Sequence, residues 1–325
     1  MRILIIGGAG MIGQKLVARL VKDGKLGTAP IKSIVLSDVV APAVLKAAFP
    51  IQTQVSDLSE PGQAEALIRD KPDVIFHLAA IVSGEAEADF ERGYRINLDG
   101  TRHLFEAIRR AQYRPRVVFT SSIAVFGAPF PDAIHDEFFL TPLTSYGTQK
   151  AIDELLLSDY SRRGFFDGIG IRLPTICVRP GKPNRAASGF FSGIIREPLN
   201  GVEAVLPVSE DVRHWHASPR AAIGFLVHAA TMDTSVLGAR RNITMPGLSV
   251  TVGEQIEALR RVAGEKTTGL IRRQADPTIV QIVQGWPRNF SAKRAVDLGF
   301  RADRSFEEII RIYIEDDLPQ GSISI

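Results

Sequence analysis

Short, continuous apolar runs recur through the first half of the chain, each followed by a longer stretch with apolar positions three and four apart. The runs at residues 2–6, 34–38, 51–55, 74–78, 116–120 and 168–173 are rich in β-branched and aliphatic residues. The first run reads as a parallel strand buried on both faces, and the others as the further strands of the same sheet. Residues 14–21, 61–69, 85–111 and the stretch beginning near 144 read as the intervening helices, so the expected class is α/β, a doubly wound parallel sheet. Beyond residue 181 the alternation lapses and Pro and Gly become frequent. Helices are predicted there at 189–200, 219–232, 251–263, 276–284 and 305–316, with short strands at 202–206 and 240–244. The expected organisation is a nucleotide-binding domain over 1–180 and a smaller C-terminal α+β substrate domain over 181–325, some of whose segments can return to the first sheet.

The first run leads directly into Gly7-Gly8-Ala9-Gly10-Met11-Ile12-Gly13. Glycines three apart at a strand-to-helix turn permit a tight turn, close approach of backbone to a pyrophosphate, and close packing of helix on strand. Gly7, Gly10 and Gly13 hold those places, while Met11 and Ile12 open a helix whose N-terminus favours phosphate. The sheet is therefore expected to be of the Rossmann type. Asp38, ending the second run, is placed to accept from a ribose 2′-OH; no arginine adjoins it and a 2′-phosphate would be repelled, which favours NAD over NADP. Asp57 and Leu58 follow the third run, beside the expected adenine. Leu78, Ala79 and Ala80 follow the fourth, where small side chains let the backbone lie against a cofactor. His77 sits in an apolar run and reads as a core histidine. Asn97 reads either as a surface amide or as an interior polar bridge near the site.

Tyr146 and Lys150 stand four apart on a predicted helix, one turn from each other on one face. A tyrosine with a pKa near 10 is a poor base at neutral pH, and lowering it by about three units takes roughly 4 kcal/mol. An ammonium at about 4 Å supplies that order of energy at an effective dielectric near 20. Thr144 or Ser145 can cap this helix. Ser121 and Ser122 end the fifth run, where ligands of open α/β sheets bind. Ser122 is expected to orient a substrate oxygen beside Tyr146, with Lys150 also holding the nicotinamide ribose.

Composition narrows the class further. The chain has 325 residues, 45% hydrophobic and 23% charged, with a formal net charge of +3 and no basic block interleaved with aromatics. Nucleic acid is not implied. Cys177 is the single cysteine, so no internal disulfide can form and a reducing, cytoplasmic setting fits. No apolar run reaches the roughly 18 residues of a membrane span, and residues 2–6 are too short for a signal-peptide core. His214 and His216 are two apart but lack further ligands, so no metal is expected.

With the glycine turn, Asp38, Asp57-Leu58, His77-Leu78-Ala79-Ala80, Asn97, Ser121-Ser122, Val125-Phe126-Gly127 and Tyr146-x-x-x-Lys150 in this order, the chain resembles the extended short-chain dehydrogenase/reductases, the NAD-dependent epimerase/dehydratase family. The resemblance implies NAD as cofactor, a catalytic set of Ser122, Tyr146 and Lys150 (Ser121 able to share the serine role), and a homodimer through the helices at 85–111 and 144–163. It also implies that the segment from Pro174 to Asn184 passes the nicotinamide and enters the substrate pocket. The run Arg213-His214-Trp215-His216-Ala217-Ser218-Pro219-Arg220 departs from the family's usual sugar-nucleotide pattern, with Ser218 and Pro219 where acidic residues are usual. The runs at residues 81–90, 173–184, 193–201 and 246–254 carry a narrower resemblance, to a sugar-acid dehydrogenase, that spans nearly the whole chain. It implies a small-molecule substrate, a four-carbon sugar acid oxidised at its C2 hydroxyl. Such an acid needs a cation, for which Arg179, Arg185 and Arg213 are all candidates; Asn184 and Ser83 are candidates for its hydroxyls. The alternatives are a nucleotide-sugar epimerase or dehydratase that recycles its NAD, and a non-enzymatic NAD sensor, against which the intact Ser-Tyr-Lys set counts.

Overall fold

The computed structural model describes residues 1–181 and 187–318. Seven strands form the main sheet: β1 (Arg2–Ile6), β2 (Ser33–Asp38), β3 (Ile51–Val55), β4 (Val74–His77), β5 (Arg116–Ser122), β6 (Asp167–Leu173) and β7 (Asn242–Thr244). Their order is β7-β6-β5-β4-β1-β2-β3, every pairing parallel. The direction of winding reverses between β1 and β4, so the carboxyl ends of those strands border the crevice in which such sheets bind ligands. The expected Rossmann-type sheet is thus present, extended at its far edge by β7.

Three helices matter most for the site: α1 (Met11–Asp23), α2 (Gly100–Arg110) and α3 (Ser145–Arg162). In α1, Gly13, Leu16, Val17 and Leu20 are buried, the three- and four-residue spacing of one face, and Gly24 at φ 65° closes the helix. Thr144 caps α3 by accepting from the Gly147 N–H at 3.1 Å. The helix expected over 85–111 is instead broken into Ser83–Ala88, Phe90–Gly93, a π-helical turn at Tyr94–Asp99, and α2. The break falls at Asp89, whose backbone leaves the helical region (φ −132°, ψ 88°) and whose side chain accepts from the Arg92 N–H at 3.0 Å. A local side-chain hydrogen bond of this kind competes with helix continuation.

The chain divides into two compact units, and not at a single break near residue 180. One holds residues 1–125, 144–173 and 223–244; the other holds 126–143, 174–222 and the chain from Met245 onward. The reason is hydrogen bonding between distant segments. β7 pairs with β6 in the first unit, whereas Ile134–His135 pairs with Phe290–Ser291 in the second. The second unit also has a three-stranded sheet, Arg213–Ala217 between Thr175–Ile176 and Leu248–Thr251, and a pair formed by Ala204–Leu206 and Ile271–Arg273. Its core gathers Phe191, Ile194, Ile256, Leu259, Phe306 and Ile310, while that of the first unit gathers Leu4, Ile75, Phe105, Val117, Leu157 and Phe166. Among the described residues no helix is long and apolar enough to cross a membrane.

Within the first unit lies a buried ion pair. Arg172 of β6 donates to the Glu154 carboxylate of α3 through Nε at 2.9 and 3.1 Å and through Nη2 at 2.7 Å. Removing one partner of such a pair leaves the other charge uncompensated, at a cost of about 3–5 kcal/mol. Arg172→Met should therefore lower the free energy of urea unfolding by about that amount. A loss below about 1 kcal/mol, the value of an exposed pair, would contradict this reading.

Candidate active site

At the crevice, the glycine turn is dictated by contact. Gly7 adopts φ +90°, and a Cβ on it would sit 2.7 Å from the Ala79 N. A Cβ on Gly13 would sit 2.3 Å from the Gly7 carbonyl oxygen. The backbones after β1 and β4 therefore touch, and α1 begins directly against the turn. The Gly7 and Gly8 N–H groups donate to the Ser37 carbonyl at 2.8 and 2.9 Å, and those of Leu78 and Ala79 share the Ile6 carbonyl. Gly10 is the N-cap of α1; it brings no side chain to the cap, and the first turn of the helix carries no acidic residue. Met11 and Ile12 begin the helix half-buried. This is a cradle open to an anion, and its residues fit a dinucleotide pyrophosphate.

Asp38 ends β2, accepting from the Ala9 N–H at 2.9 Å and the Val39 N–H at 2.7 Å. Its carboxylate is thereby tied to the glycine turn. Asp57 accepts from the Ser59 N–H and hydroxyl at 2.9 and 2.6 Å and pairs with Arg95 at 3.8 Å. Leu58 is buried in the core of the first unit, so its side chain is committed there. Asn97 is buried in the π-helical turn. It accepts from the Ile81 N–H at 2.9 Å and donates to the Gln149 amide oxygen at 2.7 Å. It is the interior polar bridge, joining the segment after Ala80 to α3. His77 is likewise a core residue, with Nε2 2.9 Å from the Thr101 hydroxyl; burial first, and the Lys150 charge second, hold it down to about 3.

Strand alternation separates the two serines. Ser121 faces Arg172 across the β5–β6 pairing, and both reach Glu154, to which Ser121 donates at 2.6 Å. Its hydroxyl is buried and its proton is given to Glu154. Ser122, the next residue, has its side chain on the opposite face of the strand. It is half-buried, and its oxygen accepts from the Ala124 N–H at 3.1 Å. The short turn Ile123–Val125 that follows packs against α3.

On α3, Tyr146 is half-buried and Lys150 only 2% exposed. The Lys150 ammonium lies 4.5 Å from the Phe119 ring centroid and 5.9 Å from that of Tyr146. Burial pushes Lys150 down to about 8, against the opposing charges of Asp153 and Glu154. Ser83 is half-buried at the start of its short helix.

In the second unit, Pro174 is buried and Arg179 half-buried, its Nε donating to the Ile176 carbonyl at 3.2 Å. Arg213 donates to the Ser249 carbonyl at 2.8 Å and pairs with Glu254 at 3.3 Å. Asn184 and Arg185 lie outside the described residues. His214 lies between the Thr175 hydroxyl (2.7 Å) and the Pro287 carbonyl (2.9 Å), and His216 takes a hydrogen bond from the Gln255 amide at 3.0 Å. Among the described residues no group of three or more metal-ligating side chains forms. The feature that sequence patterns missed is Asp153, buried three residues beyond Lys150.

Known proteins resemble this chain over most of its length. Residues 3–232 match the NAD dependent epimerase/dehydratase family. A D-erythronate dehydrogenase of Cupriavidus necator is 50% identical over 320 residues, 97% of this chain and 98% of that protein. One of Haemophilus influenzae is 42% identical over 318 residues, 98% and 100% of the two chains. The crystal structure of a protein described as a nucleoside-diphosphate-sugar epimerase from Agrobacterium tumefaciens superposes with a TM-score of 0.97 at 66% identity, over 99% of this chain and 96% of that one.

The two close contacts at the turn differ in kind. Gly13→Ala forces a Cβ into the Gly7 carbonyl and should lower both the melting temperature and NAD affinity. A Cβ on Gly10 would stand 3.4 Å from the Gly7 oxygen, which the fold tolerates, but at the cap where the pyrophosphate is expected. Gly10→Ala should therefore keep its melting temperature and lose about tenfold or more in NAD affinity, about 1.4 kcal/mol, by calorimetric titration. Equal losses of melting temperature in both variants would contradict the assignment.

Proposed function

The chain belongs to the NAD-dependent epimerase/dehydratase family, and on that premise we propose that it is a dehydrogenase that oxidises the C2 hydroxyl of D-erythronate to the 2-oxo acid. The observation that carries this reading is the near-full-length identity to two D-erythronate dehydrogenases. NAD, when bound, supplies the acceptor for the hydride that leaves C2. Gly7, Gly10, Gly13, Met11 and Ile12 hold its pyrophosphate, Asp38 its adenosine ribose, and Ala79 and Ala80 the backbone wall beside it.

Tyr146 takes the proton from the C2 hydroxyl, and Ser122 donates to the same oxygen and fixes its direction. Lys150 keeps the Tyr146 phenolate accessible. With the charge at 5.9 Å from the ring centroid, an effective dielectric near 20 gives about 3 kcal/mol, or roughly two units of tyrosine pKa. Ser83 is the candidate for a substrate hydroxyl. A cytoplasmic homodimer fits the reading: Cys177 is buried and free, and the helices expected to pair expose Phe90 and Leu155.

The second reading, an epimerase with recycled NAD, is favoured by the description of the Agrobacterium tumefaciens protein. The segment Arg213–Arg220 counts against it, because Arg213 is paired with Glu254 and Arg220 with Glu315 and Asp316.

Purified protein with NAD and a panel of four-carbon sugar acids should form NADH stoichiometrically with D-erythronate. Tyr146→Phe should reduce kcat by at least about 100-fold, the scale of a lost general base, with NAD affinity unchanged. No NADH from any acid, with turnover of a nucleotide sugar instead, would move the assignment to the epimerase. Arg213→Met should leave KM for D-erythronate within about threefold, because its guanidinium already serves Glu254. A rise of about 10- to 100-fold, the value of a charged hydrogen bond, would make Arg213 the carboxylate partner after all.

A further inference from the structure

Beneath Tyr146 and Lys150, the first unit holds more buried charge than the proposed chemistry uses. Asp153 is fully buried one turn beyond Lys150 on α3, and both of its carboxylate oxygens lack a hydrogen-bond partner among the described residues. A buried carboxylate in that condition is costly unless a charge faces it.

The surrounding groups can be taken in turn. On α3, Glu154 is claimed by Arg172 of β6 and by the Ser121 hydroxyl of β5. On β4, His77 is neutral, its Nε2 against Thr101. On α2, the Thr101 hydroxyl, which donates to the Asn97 carbonyl at 2.6 Å, is a neutral group that favours the charged form of Asp153 but brings no countercharge. On β5, Phe119 offers Lys150 only the face of a ring. Arg172 therefore answers Glu154, and Asp153 is the carboxylate that remains for Lys150.

We propose that Asp153 is a positioning residue that keeps Lys150 protonated in its buried place and so preserves the ammonium on which Tyr146 depends. The inference rests on the assignment of Tyr146 and Lys150 made above. Burial favours the neutral amine, and the negative field of Asp153 opposes that loss. Asp153 is itself held above the ordinary carboxylate range, chiefly by burial, with Lys150 the main opposing charge. The two groups thus depend on each other.

The sign of one titration decides. Tyr146 and Asp153 are seven residues apart on the helix, about 10 Å, whereas Lys150 lies between them. If Lys150 stayed charged without Asp153, removing the carboxylate would lower the Tyr146 midpoint slightly. If Lys150 needs Asp153, the ammonium is lost and the midpoint rises.

The phenolate absorbance of Tyr146, taken as wild type minus Tyr146→Phe, should be followed through pH in the full chain and again in Asp153→Asn. The expected result is an upward shift of about one unit or more, with Asp153→Glu returning toward wild type. An unchanged or lowered midpoint overturns the proposal while leaving the dehydrogenase assignment standing. An ordinary midpoint near 10 in the wild type overturns both. Should Asp153→Asn fail to fold, the Lys150→Met background gives the second test by urea denaturation. Pairing predicts that Asp153→Asn is far less harmful there than in wild type, and additive effects overturn it.

Discussion

A lysine ammonium held inside an apolar layer is the constraint to which this half of the molecule answers. Taking an ion from water into a protein interior costs several kcal/mol after relaxation. Lys150 lies one turn beyond Tyr146, where, on the proposed reading, its charge would act on that tyrosine without screening by water. The Phe119 ring faces the ammonium at 4.5 Å, and the same helix carries Asp153 and Glu154 into the interior on its next turn. The second carboxylate then has to be met, and Arg172 meets it from β6, with Ser121 assisting from β5. Strand register, helix phase and tyrosine chemistry are therefore one problem. A slip of one residue between β5 and β6 would separate Ser121 from Arg172 and leave Glu154 short of partners.

Much of this was legible from residue order alone, for reasons that are physical. The central strands read clearly because strands buried on both faces must be continuously apolar, whereas the edge strand β3, Ile-Gln-Thr-Gln-Val, is exposed along much of its length. The glycine turn was legible because no other side chain survives the approach of the Ala79 backbone and the Gly7 carbonyl. Tyr146 and Lys150 were legible because helical period places them together. The failures share a cause too, since each depends on what lies opposite in space. Asp153-Glu154 in a helix reads as a solvated face until Arg172 and Lys150 are brought against it. Ser121 and Ser122 are equivalent as neighbours, and only strand phase sends the first to Glu154. Residues 126–143 and 223–244 change units through pairings with segments more than 70 residues away, as at Ile243 with Ile171 and Ile134 with Phe290. The helix break at Asp89 follows from a side-chain hydrogen bond that an apolar stripe does not register.

What separates the two chemistries open to this frame is not the first step. A tyrosine base, a serine donor and a buried lysine serve proton removal from a hydroxyl whether the resulting ketone is released or reduced again. The difference must come from the groups that retain the rest of the substrate, and the segment Arg213–Arg220, where the family's sugar-nucleotide pattern is altered, bears on it. A nucleotide diphosphate needs cations with unclaimed donors. In the segment Arg213–Arg220 the two arginines are already matched. Arg213 is held by the Ser249 carbonyl and Glu254, and Arg220 by Glu315 and Asp316. Ser218 is closed as well, its N–H and hydroxyl both donating to Asp303 at 2.7 and 2.6 Å. His214 and His216 are buried in an aromatic cluster with Phe191 and Trp286, neutral because burial holds both below the ordinary histidine range. The segment is a strand-to-helix corner whose two arginines are held in part-exposed ion pairs, so a diphosphate would have to compete with Glu254, Glu315 and Asp316 for them. A small acid with one carboxylate needs only a single cation and makes no such demand.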